Sequence, residues 1–132
     1  MKPYREDSVG SMNLEVQTQS VNTNTAIIAI TGEMDVYTTP QVKDAMLALL
    51  EKGYYHLIVN LQQTEYLDST ALGVLVGTLK RVRERGGDLR LVAPQPKIRR
   101  LLEITRLIKV FSIDATEEQA TQNLAQEGNE TE

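Results

Sequence analysis

Three short strand-like segments, the wholly apolar Ala26–Ile30 and Leu57–Val59 and the mostly apolar Leu89–Val92, are separated by longer segments whose apolar residues recur every three to four positions. Runs this short read as buried strands, and the 3.6-residue period reads as amphipathic helix. Strands that alternate with helices need crossover connections, which press the helices onto the sheet. The expected class is therefore α/β: a single mixed β-sheet packed by about four helices, in the order β-β-α-β-α-β-α-β-α.

The punctuation supports that order. Met12–Gln19 and Thr25–Thr31 have strand character, with the polar Ser20–Asn24 as a hairpin turn and Gly32 as the end of the second strand. Thr39 is placed to cap a helix and Pro40 suits its first turn. Val42, Ala45, Met46 and Leu49 form the apolar face, and Gly53 is the stop. A second helix over Ser69–Glu84 buries Leu72, Leu75, Val76, Leu79 and Val82, and ends at Gly86-Gly87. Pro94 or Pro96 opens a third, with Ile98, Leu101 and Leu102 inward. Val110–Ile113 reads as the last strand. Thr116 and Gln119 form a capping box for the final helix. Residues 12–126 make one domain, residues 1–11 a flexible lead-in and residues 127–132 an acidic, frayed tail.

Composition narrows the function. The 132 residues contain no Cys and one His, so thiolate chemistry and multi-histidine metal sites are excluded. No apolar run approaches the ~20 residues of a membrane span, and Met1–Gly10 lacks a signal-peptide core, so a cytoplasmic protein is expected. The net charge of −4 is unevenly spread: residues 80–109 hold 10 basic and 3 acidic residues. These charges interleave with core positions and include no stacking aromatic, so they read as solvated faces that steer an acidic partner, with no direct nucleic-acid contact. There is no phosphate loop, dinucleotide fingerprint or Gly-x-Ser-x-Gly elbow. His56 opens a buried strand and reads as structural. No catalytic residue, metal or cofactor is expected.

The segment Tyr66-Leu67-Asp68-Ser69-Thr70-Ala71-Leu72-Gly73-Val74-Leu75-Val76-Gly77 resembles the phosphorylated region of STAS domains of the anti-anti-sigma type, in which a strand ends in Asp-Ser-Ser/Thr-Gly-Leu-Gly. Thr31-Gly32-Glu33-Met34-Asp35, Gly86-Gly87-Asp88-Leu89-Arg90-Leu91-Val92 and Leu107-Ile108-Lys109-Val110-Phe111 resemble three further family stretches in the same order. The resemblance covers residues 12–125. It implies an anti-sigma factor antagonist whose unphosphorylated form binds an anti-sigma factor that is a serine kinase of the GHKL type. Phosphorylation of Ser69 would end that binding, and a PPM-type phosphatase would reset it. Two alternatives are a STAS module with a non-sigma output and a ligand- or lipid-transport subunit whose serine is not modified. Ala71 stands where the family has Gly, and its methyl is expected near the modified serine.

The residues have a physical reading of their own. Ser69 falls where a strand gives way to a helix, and a helix N-terminus accommodates phosphate. Asp68 or Ser69 could equally be only a cap. Thr70, Gly73, Val74 and Gly77 lie away from the Leu72/Leu75/Leu79 stripe. The two glycines keep either a flat partner surface or room for a neighbouring helix. Asp35, like Glu33, belongs either to the docking surface or to a turn cap. The expected partner-binding set is therefore Asp35, Asp68, Thr70, Gly73, Val74 and Gly77.

Overall fold

The computed structural model describes residues 7–10 and 13–130, with side chains over residues 13–127. Its elements are β1 (Asp7–Gly10), β2 (Leu14–Ser20), β3 (Thr25–Met34), α1 (Thr39–Glu51), β4 (His56–Asn60), β5 (Thr64–Leu67), α2 (Ser69–Glu84), β6 (Asp88–Val92), α3 (Pro96–Ile104), a 3-10 turn (Leu107–Lys109), β7 (Ser112–Asp114) and α4 (Glu117–Glu130). One seven-stranded sheet runs β1-β2-β3-β4-β6-β7, and β5 pairs with β3 beyond the end of β4. The first three strands are antiparallel neighbours, and β3, β4, β5, β6 and β7 are parallel.

The α/β class and four helices are as expected, with two strands more. β5 has only four residues, buried at Thr64 and Leu67 alone, too few to show a period. It is held by β3, where the Thr64 hydroxyl donates to the Ile30 carbonyl at 2.7 Å. β1 falls inside the stretch expected as a flexible lead-in. The open edge of β2 offers it backbone groups, and such pairing needs no apolar signature. The rest of that lead-in, residues 1–6 and 11, lies outside the described residues, as do residues 131–132 of the expected tail. α4 itself continues to Glu130, past the expected frayed boundary.

Three boundaries differ for local reasons. Gly32 does not end β3; it sits at φ +112° beside a register shift, and β3 continues to Met34. A Cβ there would lie 2.1 Å from the Asn13 carbonyl oxygen, so only glycine lets the start of β2 pass so closely. Thr38 rather than Thr39 precedes α1, and its hydroxyl turns back to the β3–α1 loop instead of capping the helix. The last strand is Ser112–Asp114, because Leu107–Lys109 form a 3-10 turn first. Half of the capping box is present: the Gln119 N–H donates to the Thr116 hydroxyl at 3.0 Å, while the Gln119 side chain accepts the N–H of Ala115, one residue before the cap, at 3.3 Å.

The sheet buries most of its apolar surface on one face. Leu14, Val16, Ile28, Ile30, Leu57, Val59, Leu89 and Leu91 meet Val42 and Met46 of α1, Leu75, Leu79 and Val82 of α2, and Ile98 and Leu102 of α3. The other face carries a smaller cluster of Ile27, Ile58 and Val92 under Ala120 and Leu124 of α4. Beside it, the Arg90 guanidinium of β6 grips Asp114 of β7 (Nε to Oδ2, 2.5 Å) and Glu127 of α4, while Asn123 donates to Asp114 at 2.6 Å.

Candidate functional site

The parallel register of β3 and β5 brings two loops together. Met34 pairs with Leu67, so Asp35 and Asp68 leave neighbouring strand ends. The Asp68 N–H donates to the Met34 carbonyl at 3.2 Å. α2 then starts at once. The Asp68 carboxylate accepts the Ala71 N–H at 3.1 Å, which satisfies one of the free donors at the helix end. The cap is thus Asp68, and the exposed Ser69 follows as the first helical residue. Its hydroxyl makes no hydrogen bond among the described residues.

The β3–α1 loop is tightly closed. Asp35 Oδ1 accepts the N–H groups of Tyr37 and Thr38, both at 2.9 Å. The Thr38 hydroxyl donates to the Glu33 carbonyl at 2.6 Å and accepts the Asp35 N–H at 2.9 Å. The Thr38 N–H in particular, with help from that of Tyr37, holds the Asp35 carboxyl below its ordinary pKa. One oxygen of Asp35 is therefore committed to the loop. The loop in turn presents Val36 and Tyr37, 56 % and 85 % exposed, and β5 adds Tyr66 at 49 %. Exposed aromatic residues are typical of interface anchors. The sequence reading missed these three, because an isolated apolar residue reads as core until its direction is known. Tyr37 between Asp35 and Thr38 was the available signal, since a turn cannot bury it.

The outer face of α2 lines a groove against α1. Thr70, Gly73, Val74 and Gly77 form its α2 wall with Arg81, and Lys43 and Leu47 form its α1 wall. A Cβ added at Gly73 or Gly77 would meet nothing within 4 Å, so no neighbouring helix uses these glycines for close packing. The groove joins Thr70, Gly73, Val74 and Gly77; Asp68 sits at its head beside Ser69, and Asp35 stands apart in the loop. Ala71 is fully buried in the main core, so its methyl points inward and not toward the surface beside Ser69. His56 lies at the opposite end of the sheet, where its N–H donates to the Asn24 carbonyl.

A cleft of about 560 Å³ lies on the other face, between the ends of β3 and β4 and the start of α4. Its lining mixes polar residues such as Gln17, Thr31, Asn60 and Glu117 with Ala29, Ile30 and Val92, and it contains none of the expected partner-binding residues. No described helix is long and apolar enough to cross a membrane. No group of three or more metal-ligating side chains occurs among the described residues.

Comparison with known proteins gives a consistent family. The chain is 38% identical over 111 residues to an anti-sigma-B factor antagonist of Bacillus subtilis, covering 84% of this chain and 100% of that one. Its fold is similar to an anti-sigma factor antagonist from Mycobacterium paratuberculosis, with a TM-score of 0.77, 24% identity and coverage of 85% of this chain and 94% of the other. It is also similar to the phosphorylated form of the Bacillus cell fate determinant SpoIIAA, with a TM-score of 0.67, 25% identity and coverage of 82% and 97%. The family model for the STAS domain matches residues 15–120, and with it the chain belongs to the STAS domain family.

Proposed function

We propose that this chain is an anti-sigma factor antagonist switched by phosphate on Ser69. The unphosphorylated protein binds an anti-sigma factor that is itself a GHKL-type serine kinase, and so frees the sigma factor. The kinase transfers the γ-phosphoryl group of ATP to the Ser69 hydroxyl, and a PPM-type phosphatase removes it by hydrolysis.

The observation that carries this reading is the idle, exposed Ser69 hydroxyl at the first position of α2, with the cap made by Asp68 instead. A phosphate can be added there without breaking any hydrogen bond of the fold, and the helix N-terminus favours its charge. Around it, Val36, Tyr37 and Tyr66 supply apolar contact area, and the Thr70–Gly77 groove supplies a surface open to close approach. Adding about −1.5 to −2 charges and three bulky oxygens to this contact zone opposes docking through desolvation and steric mismatch. The names of the similar proteins agree with this output.

The test is phosphorylation by the partner kinase captured from the source cell, followed by peptide mass spectrometry. Phosphate should appear on Ser69, and Ser69→Ala should remain unmodified and bound. Modification of Thr70 in the Ser69→Ala protein would overturn the assignment.

A further inference from the structure

The end of the domain opposite Ser69 carries a different surface. α2 spans 16 residues, about 24 Å, and its last turn lies beside the 3-10 turn, where Arg83 approaches the Val110 carbonyl at 3.4 Å. There Ile104 of α3 is 69 % exposed and Val110 is 40 % exposed. Arg100 lies one helical turn from Ile104 on the same face of α3, and Arg106 and Lys109 follow. None of Arg100, Arg106 and Lys109 has an acidic partner among the described residues.

A second observation concerns Arg106 itself. It follows the α3 cap residue Thr105 with φ +64°, in the left-handed conformation that glycine adopts without a steric penalty. A glycine would serve the backbone better, so the arginine side chain is retained at a cost to the fold. Backbone strain of this kind points to a use for the side chain.

From these two observations we propose that Arg100, Ile104, Arg106, Lys109 and Val110 form a second docking surface, which takes an acidic protein segment that seats an apolar side chain on Ile104 and Val110. The exposed aliphatic pair and the absence of an aromatic side chain favour a protein over a nucleic acid, which would use stacking platforms. The site stands apart from Ser69, so its occupancy does not depend on phosphate there. This inference does not rest on the proposed switch.

The test selects a displayed library of 12-residue peptides on the full-length chain. The enriched peptides should carry apolar residues flanked by Asp and Glu, and a synthetic copy of the best one should shift the NMR amide signals of residues 100–110 while leaving Ser69 and Gly73 in place. Arg106→Gly should melt no lower than the parent protein yet weaken that peptide at least ~10-fold, and Ile104→Ser should weaken it similarly. Enrichment of basic or neutral sequences, undiminished binding to Arg106→Gly, or shifts centred on Ser69 would each overturn the proposal. So would tighter binding of a 12-nucleotide oligouridylate that ignores Ile104→Ser, which would make the surface a nucleic-acid site.

Discussion

Under α1, α2 and α3 the sheet buries a continuous apolar core from Leu14 to Phe111, whereas under α4 the described residues bury the smaller set Ile27, Ile58, Val92, Ala120 and Leu124 and add an ionic network. Dispersion and apolar burial are insensitive to pH. A buried ion pair depends on geometry and on the protonation of each member. The first face can therefore leave the outside of α2 bare, because Leu75 and Leu79 already anchor that helix. The second face depends on the buried Arg90–Asp114 pair remaining together.

The largest effect should come from the apolar face. Leu75→Ala removes a fully buried side chain and should cost about 2–5 kcal/mol in denaturant unfolding. A loss below about 1 kcal/mol would mean that the two faces are not distinct in this way. Asp114→Ala should come next, at about 2 kcal/mol, since it strips Arg90 and Asn123 of a charged acceptor while Glu127 still pairs with Arg90. Hydrogen exchange should rise in α4 and stay slow in α2 if the loss is local to that face. Replacing both members, Arg90→Met with Asp114→Leu, should recover most of the stability, because a packed apolar pair is often as good as a buried ion pair.

Gly77→Gln should be smaller and of opposite sign. With open space around a Cβ, the substitution should raise stability by up to about 1 kcal/mol through helix propensity alone. On the proposed function it should also weaken the kinase partner at least ~10-fold, or ~1.4 kcal/mol. Stability that falls instead would show that the groove closes against α1.

The smallest effect is a pH response of opposite sign on the two faces. Asp35 has a lowered pKa, so it stabilises the β3–α1 loop above the ordinary carboxylate range, and that contribution is lost as pH falls through its folded value. Glu127 is shifted upward. Burial and then the neighbouring Asp88 carboxylate outweigh Arg90, whose charge is already shared with Asp114. Its neutral form is favoured in the folded state, so its contribution is full below the ordinary glutamate value and is lost as pH rises through the folded one. An NMR titration from pH 7 to pH 3 should first relieve α4 near Glu127 and later loosen Asp35–Thr38. Glu127→Gln should abolish the first step alone, and a single concerted transition would contradict the scheme.

Much of this was legible in the sequence, but unevenly. α2 and its buried stripe follow from a 3.6-residue period sustained over sixteen residues, and the Gly86-Gly87 stop has a visible reason. Gly86 takes φ +78°, and a Cβ on Gly87 would lie 1.7 Å from the Tyr55 carbonyl oxygen. β1 and β5 could not be read, because four residues give no period and their pairing is set by β2 and β3. Arg90, Asp114 and Glu127 are 24 and 37 positions apart from the arginine, so no local pattern links them. At the candidate site, helical geometry placed Gly73 and Gly77 off the buried stripe and Ser69 at the start of α2, but whether the glycines faced open space or a neighbouring helix needed the tertiary packing. The commitment of Asp35 to its own loop, the inward methyl of Ala71 and the outward Tyr37 depend on how strand ends are placed by tertiary pairing.

The division of labour between Asp68 and Ser69 has a kinetic consequence. On the proposed function, since the capping bond to Ala71 belongs to Asp68, the kinase meets the Ser69 hydroxyl in the native conformation, with no preceding fraying of α2. Its second-order rate should then be set by encounter and chemistry, and not by the rare opening of the chain. A core variant that lowers global stability by several kcal/mol should be modified at an unchanged rate while it stays folded, which separates this serine from residues that become available only when structure is lost.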